Sequence, residues 1–225
     1  MQTAPKRNPT GDRPGTLNLR PILEVVKKIN SERNLRRLIT MILDTAIEFS
    51  NATRGTIAIF KEQSFNAELS RTVNGGEIKH TDIPSLAPVL KRLHKTGKSV
   101  IVDDVRQDEA LRPETAEAGR DAQSIICLPL RVKSRLMGGL YLDNTDAASA
   151  FGAREREFAE VLAEHASIAI ENALLYRKST QDRVTNVYNH SAFEQFLDDE
   201  MDLARRGNYP LGLLMIDEYV RFPAA

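Results

Sequence analysis

Residues 124–144, SIICLPLRVKSRLMGGLYLDN, narrow what this chain can fold into more than any other stretch. Ile126, Leu128, Leu130 and Val132 share one parity, and Leu136, Leu140 and Leu142 form another such row, so each half presents an apolar face at the strand period of two. The polar interval Lys133, Ser134, Arg135 predicts a turn between them, hence a hairpin. Ile125, Cys127, Met137 and Tyr141, on the other parity, are apolar too, which calls for cover on both faces and places the hairpin mid-sheet. Gly138 and Gly139 mark a weak or bulged point where another backbone can come close.

Upstream, two runs at helical spacing precede the sheet, one through Leu19, Ile22, Leu23, Val26 and Ile29, the other through Leu35, Leu38, Ile39, Ile42, Leu43, Ala46 and Ile47. Residues 56–60 then read as a first strand and 67–73 as a second, across a polar turn at 61–66. Ser85 is placed to cap a helix carrying Leu86, Val89, Leu90 and Leu93 and ending at Gly97, with a short strand at 99–102. The polar segment 103–124 is expected to hold only a short helix or two over the sheet, the kind of place where pockets form. Asp143 and Asn144 read as turn caps at the strand end.

From Ala153 to about Arg183 runs the longest helical signal, unbroken by Pro or Gly. With Phe158 at heptad position a, the seam is Phe158, Val161, His165, Ile168, Asn172 and Leu175, with Leu162, Ala166, Ala169, Ala173 and Tyr176 in an adjacent row. One row is expected on the sheet and the other on a second copy, Asn172 fixing register, so the chain is predicted to be a homodimer.

Composition bounds the function. In 225 residues, 31 Lys+Arg balance 31 Asp+Glu, which removes the broad attraction that nucleic-acid and anionic-membrane binders use. A single cysteine forms no internal disulfide, and no apolar run approaches membrane-spanning length, so a cytoplasmic protein without membrane insertion or nucleic-acid partner is expected. Cys127, inside an apolar run, reads as a buried thiol rather than a chromophore attachment point. His80, His94, His165 and His190 share no metal-ligand spacing.

The fold class these elements imply is α/β (α+β), an antiparallel sheet flanked by helices with a long C-terminal helix. Leu128-Pro129-Leu130, Gly139-Leu140-Tyr141-Leu142-Asp143-Asn144, Phe151, residues 163–176 and the KTGKSVIVDDV stretch at 95–105 resemble a GAF domain, covering about 19–177. The resemblance implies a regulatory module, of a family many of whose members dimerise and whose members bind cyclic nucleotides, bilins, haem, small metabolites or nothing, so that a small-molecule effector is open; the Asn-Lys, Phe and Asp-Glu constellation associated with cyclic-nucleotide binding is not found in register.

A second resemblance covers the C-terminal part. Asp182-Arg183-Val184-Thr185-Asn186-Val187-Tyr188-Asn189, Phe193, Leu197, Glu200, Arg205-Arg206 and Leu213 to Asp217 resemble the opening of a GGDEF, or diguanylate cyclase, domain. Val184, Asn186, His190 and Ser191 depart from that family's pattern, and after Asp217 the match fails. The resemblance implies that Asp217 corresponds to the first metal carboxylate, and that Mg would be held only by a complete GGDEF domain. Joining two GTP molecules into cyclic di-GMP needs several carboxylates and a phosphate-cradling turn, so no catalysis is expected of this chain.

The expected organisation is a tail at 1–16, a GAF domain at 17–177, and a linker helix with an incomplete GGDEF N-terminal fragment at 178–225. Residues 211–216 would be a strand left without sheet partners, expected either to dock on the GAF part or to be poorly ordered. Candidate ligand-side residues are Arg112, Arg120, Asp121 and Tyr141.

Overall fold

The computed structural model describes residues 27–61, 64–111, 122–182, 184–185 and 187–216. They form two compact units that divide between Leu174 and Leu175.

The first unit is built on a five-stranded sheet: β1 (Arg54–Lys61), β2 (Ser64–Thr72), β3 (Val100–Val102), β4 (Ser124–Val132) and β5 (Arg135–Asn144). The order is β2-β1-β5-β4-β3 and every pairing is antiparallel. The β4–β5 hairpin therefore sits inside the sheet, as its two apolar parities require. Its turn is formed at Lys133, which takes φ 54°. Gly138 is where β1 comes closest: a Cβ there would lie 2.1 Å from the Ala58 carbonyl oxygen.

Helix α1 (Leu35–Ser50) starts at Asn34, whose side chain accepts from the Arg37 amide, and ends at Asn51 in the left-handed region. Its Leu38, Ile39, Ile42, Leu43, Ala46 and Ile47 form one core with Ile57, Leu128, Leu140 and Leu142 of the sheet. Helix α3 (Ala153–Thr180) joins this core through Phe158, Leu162, Ala166, Ala169, Ile170 and Ala173. Helix α2 (Leu86–Thr96) covers the opposite face, packing Leu86, Val89, Leu90 and Leu93 on Val100, Ile125, Cys127 and Tyr141.

Three sequence expectations are revised. The second strand begins at Ser64, because Phe60 and Phe65 pair and shorten the turn. Ser85 does not cap α2: its hydroxyl bonds Tyr141 instead. Asp143 caps no turn but is fully buried, whereas Asn144 does cap one, accepting from the Asp146 and Ala147 amides at 2.8 Å each. The first expected helix lies outside the described residues except at 27–31, which are helical and bury Ile29.

In the second unit, the end of α3 leads through a turn to α4 (His190–Gly207). Asp182 accepts from the Val184 and Thr185 amides, and Asn189 caps α4 while donating to the Ser179 carbonyl. Residues 211–216 form no strand. Leu213, Leu214, Met215 and Ile216 are largely exposed, as expected of an apolar strand sequence with no sheet to join.

Candidate functional site

On the α2 face of the sheet, four polar side chains are buried in a line. Arg54 and Asp143 stand opposite each other on β1 and β5. The Arg54 Nε donates to Asp143 Oδ1 at 2.9 Å and its Nη2 to Oδ2 at 2.6 Å, a two-pronged contact. The Tyr141 hydroxyl lies 2.8 Å from Asp143 Oδ2, and the Ser85 hydroxyl 2.6 Å from that of Tyr141. An ionised carboxylate only accepts, so Tyr141 donates to Asp143 and Ser85 donates to Tyr141. One strand register further, Thr56 bonds Ser70 at 2.8 Å.

Burial pushes the Asp143 carboxyl up, and the Arg54 guanidinium opposes that shift. Burial, then the Asp143 charge, push the Tyr141 hydroxyl well above its ordinary value. Burial likewise raises the Cys127 thiol, which keeps it protonated and unreactive. The line thus holds no activated nucleophile or poised base. It ties the start of α2 to the centre of the sheet, and it places Tyr141, one of the sequence candidates, in the interior. Arg112, Arg120, Asp121 and Asp217 lie outside the described residues. Among the described residues no group of His, Cys, Asp and Glu is arranged to hold a metal ion.

Sequence reading missed Arg54 and Ser85 as members of this line. The available signal was parity: Arg54 and Thr56 share a face of β1, and Tyr141 and Asp143 share the facing parity of β5.

The seam expected on α3 divides in two. Phe158 belongs to the core, stacked on Phe49 of α1 with ring centroids 5.1 Å apart. Val161 and His165 are half-buried, and Asn172 is exposed. Ile168 and Leu175 are exposed at 47% and 55%, large for aliphatic side chains at helical spacing. A cavity of about 600 Å³ between β4 and α3, lined in part by Pro129, Lys133, Glu164 and Ile168, continues this surface. Of the adjacent row, Leu162, Ala166, Ala169 and Ala173 are buried in the first core, and Tyr176 is half-buried.

With this topology in view, the GAF domain profile matches residues 32–171. The chain belongs to the GAF domain family. The GAF domain of an Acinetobacter phosphoenolpyruvate-protein phosphotransferase has a similar fold, at TM-score 0.54 and 16% identity, over 71% of this chain and 97% of that one. Two curated relatives are signalling proteins. The circadian input-output histidine kinase CikA of Thermosynechococcus vestitus is 25% identical over 178 residues, covering 72% of this chain and 24% of that protein. Diguanylate cyclase A of Treponema denticola is 26% identical over 213 residues, covering 89% of this chain and 56% of that protein. The chain thus spans about a quarter and about half the length of these two relatives. An alignment over 89% of the chain extends well past the GAF match and into α4. GAF domains are regulatory and sensory modules. Among the described residues no helix is long and apolar enough to cross a membrane.

Proposed function

We propose that this chain is a cytoplasmic sensory GAF module that self-associates along α3 and passes a change of state through that helix to an output of diguanylate cyclase type. The observation that carries this is the division of α3 into two rows, one buried on the sheet and one, with Ile168 and Leu175, left exposed at heptad spacing. A helix so divided serves two surfaces. A small-molecule effector on the α2 face would bias the packing or register of α3, and so the separation of two outputs.

A second reading, a fragment of an active diguanylate cyclase, is favoured by the Treponema alignment reaching α4. Of the metal carboxylates such a cyclase needs, the GGDEF resemblance supplies only Asp217. The chain itself is therefore read as regulatory, with Mg bound only alongside a complete GGDEF domain. A ligand-free dimerisation module is the third reading, favoured by the full burial of Ile125, Cys127 and Tyr141 under α2.

Light scattering coupled to size exclusion tests the proposal. The chain is expected to elute as a dimer, and Ile168→Asp with Leu175→Asp as a folded monomer. A monomeric parent chain at all concentrations overturns it.

A further inference from the structure

On the reading proposed above, the effector face under α2 and the helix α3 lie on opposite faces of the sheet, and one route between them runs around an edge. At the β3 edge the structure provides such a route. Asp103 follows β3 directly and opens the segment 103–111, which belongs to the α2 side. Val105 and Leu111 are buried in the core under α2. The Val105 amide donates to the Gln123 carbonyl at 2.9 Å, and Arg92 of α2 pairs with Asp108 at 2.8 Å.

Asp103 itself faces the other way. Its carbonyl accepts from the Ser149 amide at 2.7 Å, in the connection that leads into α3. Its carboxylate pairs with the guanidinium of Arg156, whose Nε also donates to the Phe151 carbonyl at 2.8 Å. Arg156 stands in the first turn of α3, as does Arg154. Cations are disfavoured there, because the exposed N–H groups make that end of a helix positive. Glu155 supplies an anion in the same turn, and Asp103 adds one from outside the helix that pairs with Arg156 directly.

We propose that the Asp103 carboxylate and the Arg156 guanidinium form a latch through which the segment 103–111 sets the stability of the first turn of α3. With the segment seated, Asp103 neutralises Arg156 and the turn holds, just ahead of Phe158 and its stack on Phe49. With the segment displaced, Arg156 loses its direct partner at the positive end of the helix and the turn frays more readily. This deepens the regulatory reading above and rests on it for its purpose. The latch is read in amide exchange and self-association in mass, so either can fail without the other.

The test is hydrogen exchange by mass spectrometry on the full chain. Asp103→Asn is expected to speed exchange at residues 156–160 by about threefold, in the range of one charge effect at a helix end, and to leave the centre of β1 unchanged as a folding control. Arg92→Gln, which cuts the tie between the segment and α2 without opening a cavity, is expected to speed exchange at 156–160 in the parent background but not in Arg156→Gln. No change at 156–160 in Asp103→Asn or in Arg92→Gln overturns the latch. So does an effect of Arg92→Gln that persists undiminished once Arg156 is removed.

Discussion

At the residue scale the Arg54 and Asp143 pair illustrates how a buried charge acts by what its loss leaves behind. Asp143→Asn keeps the shape but removes the buried charge that both prongs of the Arg54 guanidinium bond, and is expected to cost about 3–5 kcal/mol in chemical denaturation. Tyr141→Phe removes one neutral donor from an Asp143 that retains Arg54, and should cost only about 1–2 kcal/mol. Equal costs for the two would show that the charge pair is not what matters.

In the first unit, acid response follows from two aspartates, Asp104 and Asp143, that shift in opposite directions. Arg106, through its side chain and its amide, holds the Asp104 carboxyl at about 2, below the ordinary 3.8. The native form therefore binds fewer protons than the unfolded one, and the Asp104 contribution is complete above about pH 4 and lost as pH falls toward 2. Asp143, raised by burial, contributes in the other sense: its share is present below 3.8 and shrinks as pH rises through its native value. Asp104→Asn should flatten the fall of Tm between pH 4 and 2. An unaltered slope in that window would mean that Asp104 is not a source of acid sensitivity.

At the scale of elements, parity made the sheet readable. Two apolar rows in each half of 124–144 allowed one place for the hairpin, and the structure puts β4 and β5 there. The glycine at 138 was legible for the same reason, since a strand gap in a doubly covered sheet signals a close backbone. Gly138→Ala is expected to cost about 3 kcal/mol, because the β1 carbonyl it would strike cannot move without breaking the β1–β5 ladder. What stayed hidden was tertiary. A serine before a helix looks the same whether it caps the helix or reaches Tyr141, which is 56 residues away in sequence. Phe158 fits the heptad as well as Ile168 does, and only the presence of Phe49 of α1 beside it assigns it to the core. Asn172, exposed in the remaining stripe, carries its own prediction: Asn172→Leu should strengthen the dimer and raise its Tm while loosening register. Unchanged stability and mass in that variant would count against the seam.

For the whole molecule, the division between Leu174 and Leu175 has an energetic meaning. The first unit closes two cores around one sheet, and Ala173 is its last buried residue on α3. The second unit offers much less. Along α4 only Ala192 and Ala204 are buried, while Phe193, Phe196 and Leu203 remain open to solvent, with Leu214 and Met215 exposed at 81% and 88% beyond it. So little apolar burial cannot offset the entropy of ordering the chain, and what order the unit has comes from local bonds such as those of Asp182 and Asn189. A chain ending after Thr180 should therefore keep the Tm of the first unit within about 2 °C, since the interactions removed lie outside both cores. The separate piece 175–225 should show helical ellipticity without a cooperative melt. If removing 181–225 instead lowers the Tm sharply, the apolar side chains of α4 and of 211–216 are partnered in solution. The exposed stripe of α3 would then have a competitor for its second surface.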